Sequence, residues 1–226
     1  MHRTVDVRDL GITDYADVHE MQRRLRDARI ADGAPDTLLL TEHRPVVTLG
    51  RAHPEADLRV PASVLAARGI AIVQTERGGD ITYHGPGQLV AYGIIDLRAW
   101  DMPLLDYVSG LEEAVIRVLT RWGIDGKRHV GARGVWVGNR KVASLGIHVR
   151  RWVTMHGIAL NVAQMEDFEL INPCGLAGVE MTSMTREAPA TAGGPLEMGE
   201  VKAAFVRAFS GIFNTGVRTP AQTPWR

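Results

Sequence analysis

The chain reads as an α+β or mixed-sheet protein, and three features of the sequence predict this. Helical apolar stripes are few: Tyr15 to Ile30, Pro61 to Arg68, Leu104 to Trp122 and Glu197 to Phe213. Short runs rich in Val, Ile, Leu and Tyr fill much of the remaining chain. The two kinds of segment do not alternate regularly, which argues against a doubly wound parallel sheet. With 226 residues, 45% of them hydrophobic and 23% charged, the chain is long enough to bury a core without disulfides. One domain over residues 1–226 is expected.

The opening run TVDVRDL predicts a strand, and Val18, Met21, Leu25 and Ala28 then fall on one face of a helix. TLLLTEH and PVVTLGR predict two more strands. Pro61 and Pro103 suit the first turns of the second and third helices, because their missing N–H would be unsatisfied there anyway. AIVQTER, DITYH and QLVAYGIIDL predict three further strands. GVWVG and KVASLGIHV form a hairpin that turns at Gly138-Asn139, and TMHGIALNV adds another strand. The APATAGGP segment from Ala188 to Pro195 reads as a loop before the last helix. A loose, Pro-rich tail is expected over about 217–226.

Composition excludes several classes of function. Twenty-six acidic residues balance 26 basic ones, and no basic run offers a phosphate-tracking stripe, so nucleic acid is not an expected partner. The N-terminus lacks a secretory apolar run, and no segment approaches the roughly 20 apolar residues of a membrane span. A cytoplasmic protein without membrane contact is therefore expected, with a monomer as the default state. A single cysteine allows neither an internal disulfide nor a cysteine-rich zinc site. No metal or cofactor is expected.

Chemistry concentrates in two stretches. RGGDITYHGPGQL, residues 77–89, carries glycines that let backbone approach a ligand closely. It matches neither a Walker loop nor a dinucleotide fingerprint. INPCGLAGVEMTS, residues 171–183, places Cys174 in a Pro-Cys-Gly turn rather than an apolar run, and a thiolate is an intrinsically good nucleophile. A base is then needed. Among the 26 basic residues only Lys127, Lys141 and Lys202 are lysine, and lysine, unlike arginine, can be tuned to release its proton. His43, His84 and His156 adjoin Gly- or Pro-containing turns and are equally admissible by spacing.

Four segments in order, EHRPVVTLGR, RGGDITYHGPGQLVAYGIIDL, RKVASLGIHVRRWVTMHGIALNV and INPCGLAGVEMTSM, resemble the octanoyltransferases of lipoate biosynthesis, the lipoyl(octanoyl) transferase family. The resemblance covers nearly the whole chain. It implies the fold of biotin and lipoate protein ligase catalytic domains, an α+β fold with a mixed β-sheet core flanked by helices. It also implies transfer of octanoyl from octanoyl-acyl carrier protein to a target lysine of lipoyl domains, those of 2-oxoacid dehydrogenase acyltransferase subunits and the glycine cleavage H protein. Cys174 would carry the acyl-thioester, and Lys141 would complete a Cys/Lys dyad. The acyl-binding segments would be Arg77, Gly78, Gly79, Asp80, Ile81, Thr82, Tyr83 and His84, then Ser144, Leu145 and Gly146, then Gly157, Ile158 and Ala159. The residues themselves suggest that small Gly146, Gly157 and Ala159 leave room for a chain, and that Tyr83 and His84 shape its entrance. The rivals are an ATP-dependent ligase of the same fold, an amidotransferase working between carrier domains, and a non-catalytic acyl-carrier-binding protein.

Overall fold

The computed structural model describes residues 3–51, 57–163, 165–173, 179–189 and 196–220, the side chain of Asp32 excepted. Strand β1 (Arg3–Thr13) leads into helix α1 (Tyr15–Asp32), which Gly33 closes at φ 63°. Glycine fits that left-handed position because it has no Cβ to clash. Strands β2 (Asp36–His43) and β3 (Val46–Leu49) follow, then helix α2 (Ala62–Ala67) and strands β4 (Ala71–Gln74), β5 (Ile81–His84) and β6 (Gln88–Ile94). Helix α3 (Leu104–Arg121) precedes β7 (Lys127–His129), β8 (Ala132–Val137), β9 (Arg140–Arg150) and β10 (Val153–Asn161). A 3-10 turn (Glu166–Leu170), β11 (Glu180–Met181), α4 (Met184–Glu187), α5 (Met198–Phe213) and β12 (Thr215–Arg218) complete the order.

Among the described residues the large sheet runs β12-β1-β2-β6-β10-β9-β8-β7, with β11 pairing β9. It is mixed: β12, β1 and β2 are parallel, whereas β2, β6, β10, β9, β8 and β7 pair antiparallel in turn. Both faces are covered, so its central strands are apolar on both sides. Leu38 and Leu40 of β2 and Leu89 and Ala91 of β6 join the core beneath α3 and α5, while Leu39, Val90 and Tyr92 face α1. Helix α5 contributes the buried ladder Val201, Phe205, Phe209 and Phe213, an i, i+4 stripe along one helical face. Gly110 of α3 admits Phe213, for a Cβ there would lie 2.5 Å from the Phe213 ring.

A second sheet, β4-β3-β5, packs Val47, Ile81 and Tyr83 against Leu65, Phe168 and Ile171. Pro61 and Pro103 stand immediately before α2 and α3, one position outside the first turns expected for them. The first residues of the segment expected as a tail are part of β12. Val217 and Arg218 pair with Val5 and Asp6, and the Arg218 guanidinium meets both Asp6 oxygens at 2.7 and 3.0 Å. Residues 221–226, and 190–195 of the expected loop, lie outside the described residues. No described helix is long and apolar enough to cross a membrane.

Candidate functional site

Helix α1, strands β6, β9 and β10 and segment 77–84 together wall a cavity of about 360 Å³, within the roughly 300–1,000 Å³ typical of small-molecule sites. Its apolar wall on the α1 side is built from Val90 and Ala159, with Tyr15 and Tyr92 beside them, while Leu145 and Ile158 border it and turn their side chains to the α3–α5 core. Val90 and Ala159 are cross-strand partners, which sets them together on the α1 side of the sheet.

Segment 77–84 is clamped to this wall rather than draped over it. The Gly78 N–H donates to the Ile147 carbonyl at 3.0 Å, and the Gly50 N–H donates to the Asp80 carbonyl at 3.1 Å. The Arg77 guanidinium is buried and donates to the Thr48 carbonyl and hydroxyl at 2.6 and 2.9 Å, tying the segment to β3. Glycines permit the close approach. A Cβ on Gly146 would lie 2.7 Å from the Gly78 carbonyl oxygen, and one on Gly157 would lie 2.0 Å from the Ala91 oxygen. The missing side chains at 146 and 157 thus make room for neighbouring backbone, while both residues border the cavity.

Lys141 enters the cavity from β9 and is 4% exposed. Its Nζ lies 5.4 Å from the centroid of the Trp136 ring, within cation–π range. The backbone of Lys141 is anchored on the opposite edge, where Met181 of β11 pairs with it and the Thr182 N–H donates to its carbonyl at 2.9 Å.

A buried hydrogen-bond chain joins that edge to the cavity. The Asn161 amide donates to the Thr182 carbonyl at 2.9 Å, and the Gln88 amide donates to Asn161 Oδ1 at 2.9 Å. Because that amide nitrogen of Gln88 is a donor, its Oε1 must accept from His84 Nδ1, 2.6 Å away. This fixes His84 as the Nδ1–H tautomer with its Nε2 lone pair free to accept. Burial, with His43 close by, pushes the His84 pKa down to about 3. Burial likewise lowers His43 to about 4, where it faces Tyr92 Oη at 2.8 Å. Both imidazoles are neutral near pH 7.

At the α1 end, His156 lines the cavity beside His19 and Glu76. Burial holds the His156 pKa down at about 3. Burial opposes ionisation of Glu76, but hydrogen bonds from Arg23, its own backbone N–H and nearby His19 outweigh it and hold the pKa at about 2.

Of the expected acyl-binding residues, Arg77, Gly79, Asp80, Ile81, Thr82, His84, Ser144, Leu145, Gly146, Gly157, Ile158 and Ala159 line this one cavity together with Lys141. Gly78 is not on its wall. Tyr83 is turned away from the expected entrance. It donates to Asp167 Oδ2 at 2.8 Å and packs on Phe168, on the other face of β5. Cys174 lies outside the described residues, as do Gly175 to Gly178; the flanking Pro173 and Val179 border a second cavity of about 250 Å³ with Asn161 and Met181. Tyr15, Val90, Tyr92 and Gly131 to Arg133 also line the main cavity. Alternation along β6 marks Val90 and Tyr92 as sharing a face, but only the pairing with β10 shows which.

Known proteins can now be set beside this geometry. Residues 14–210 match the family described as lipoyl protein ligase A/B catalytic domain, and the chain belongs to that family. Its similar relatives are octanoyltransferases. One from Syntrophobacter fumaroxidans is 51% identical over 82% of each chain, and one from Solibacter usitatus is 45% identical over 94% of each. Among solved structures, a lipoate-protein ligase A bound with ATP superposes with TM-score 0.75 at 17% identity, covering 99% of this chain and 90% of that one. A biotin protein ligase from Aquifex aeolicus gives 0.52 at 16% identity, covering 92% and 69%. These neighbours establish the fold that the sequence implied. Octanoyltransferase activity follows from the relatives.

Proposed function

We propose that the protein moves octanoyl from the phosphopantetheine thioester of acyl carrier protein to the target lysine of lipoyl domains, including those of 2-oxoacid dehydrogenase acyltransferases and the glycine cleavage H protein. Cys174 is the nucleophile and Lys141 its proton partner. The observation that carries this reading is the convergence of a buried lysine and an apolar wall on one cavity. A thiol near pKa 8.5 beside an amine near 10.4 favours the thiolate–ammonium pair.

In the first half, the Cys174 thiolate attacks the donor carbonyl. The tetrahedral adduct collapses with loss of the carrier thiolate, which takes a proton from the Lys141 ammonium. In the second half, the acceptor amine attacks the new thioester, neutral Lys141 removes its proton, and the Cys174 thiolate leaves. The amide replaces the thioester and the starting pair is restored. Ser144 lines the cavity, and its buried Oγ has no hydrogen-bond partner among the described residues, so a small rotation of this hydroxyl would let it donate to the developing oxyanion. Burying the octanoyl chain against Val90 and Ala159 is worth about 0.8 kcal/mol per methylene. One methylene discriminates weakly, so any limit on chain length comes from a steric stop.

Incubation with octanoyl-acyl carrier protein, without ATP, tests the reading by intact mass. A hydroxylamine-labile octanoyl adduct, absent from Cys174→Ser and discharged by a lipoyl domain, is expected. No adduct, with ATP-dependent labelling of the lipoyl domain instead, would overturn it in favour of a ligase.

A further inference from the structure

We propose that His19, Glu76 and His156 form a binding site for one divalent transition-metal ion of the zinc type at the α1 end of the cavity. The three side chains come from α1, the segment after β4, and β10, and one ligand atom from each lies within 4.8 Å of the others. Two imidazoles and a carboxylate are a donor set that suits Zn²⁺, Co²⁺ or Ni²⁺. Glu76 Oε2 lies 2.7 Å from His19 Nε2 and 3.9 Å from His156 Nε2. Metal–ligand bonds of about 2.0–2.1 Å would bring these separations toward a common value through a small swing of the carboxylate.

An independent observation concerns His156. Its side chain is 2% exposed, yet neither Nδ1 nor Nε2 has a hydrogen-bond partner among the described residues. A buried polar group left in that state costs on the order of 1–3 kcal/mol and calls for an occupant. The fold nonetheless holds the residue firmly. His156 sits at φ 64°, a conformation disfavoured for a side chain of this size, and its N–H donates to Gln22 Oε1 at 2.8 Å. The His19–Glu76 contact does not satisfy His156. Arg23 Nε donates to Glu76 Oε1 at 3.2 Å, and Nη2 makes a longer 3.4 Å bond to Oε2. The carboxylate is thereby oriented with Oε2 toward both imidazoles, as outer partners orient metal ligands.

Untagged protein, stripped with chelator and dialysed against Zn²⁺, should retain one ion per chain by elemental analysis. Co²⁺ should give the visible bands of a four- or five-coordinate site with nitrogen ligands, and Zn²⁺ should raise Tm. His19→Ala and His156→Ala should each weaken binding at least about tenfold, with His129→Ala as the unaffected surface control. If an alanine variant does not fold, Glu76→Gln replaces it with the same expectation. Failure of the wild-type protein to bind either ion stoichiometrically would overturn the proposal. Unchanged binding by a folded His19→Ala/His156→Ala protein would do the same. Neither readout depends on acyl transfer.

Discussion

Gly134 stands at φ 112°, and a Cβ there would lie 2.8 Å from Lys141 Cε and 2.3 Å from the Ala143 carbonyl oxygen. Its N–H donates to Oε1 of Glu112, a carboxylate only 2% exposed on α3. The lysine therefore lies across a backbone site that only glycine leaves open. Gly134→Ala should lose about 1–3 kcal/mol in urea unfolding through its backbone conformation alone. It should also slow acyl-enzyme formation by displacing Lys141; wild-type stability together with wild-type acylation would contradict this. Lys141→Arg separates charge from proton transfer. Arginine keeps the cation but accepts no proton, so most turnover should vanish. Near-normal single-turnover deacylation would remove Lys141 from the proton-acceptor role. Lys141 was legible because lysine is rare in this chain and stands in a recognisable motif. The need for Gly134 was not. It arises where the β8–β9 register shifts between Val135 and Trp136, a bulge with no local sequence mark.

The chain from His84 through Gln88 and Asn161 to Thr182 spans β5, β6, β10 and the residue after β11, so the site's geometry belongs to several elements jointly. Gln88→Leu would strand the His84 N–H and the Asn161 oxygen in a dry interior. A loss of about 1–3 kcal/mol is expected, read as a lower urea midpoint with unchanged m-value. Transfer should slow in parallel, and an unperturbed variant would show that the chain does not hold the site. Gly157→Ala should be harsher, because its Cβ meets the backbone of β6 rather than a side chain that can turn aside. Soluble expression with a wild-type melting temperature would refute that. The long helices were legible because α5 repeats buried residues every fourth position and α3 keeps a similar stripe. Strands β7, β11 and β12 were not. Lys127–His129 is exposed throughout, Glu180–Met181 is too short for a period, and Thr215–Arg218 is stabilised by pairing with β1 rather than by its own composition. The candidate site was legible as motifs, but their adjacency was not. His19 and Glu76 are 57 positions apart with no local signature, and only packing of α1 against the sheet brings them to His156.

For the whole molecule, the buried neutral imidazoles of His43 and His84 couple stability to pH. Their folded pKa values of about 4 and about 3 lie below the ordinary 6.5. The unfolded chain therefore binds more protons below pH 6.5, and stability present above that pH is lost as pH falls toward the folded values. Each histidine contributes a slope of up to about 1.4 kcal/mol per pH unit in that window. Urea midpoints taken between about pH 7.5 and 4.5 should fall steadily below 6.5; a flat profile would mean that these rings are not buried neutral. The edge of the large sheet has a different consequence, for manufacture in the cell rather than for chemistry. Strand β1 is bordered on one side by β2 and on the other by β12, the last strand described. A ribosome delivers β12 long after β1 and β2. The nascent chain can set β1 beside β2 early, but its outer hydrogen-bonding edge must wait for residues 215–218. A chain stalled before residue 215 would thus carry an otherwise folded sheet with an open seam along β1.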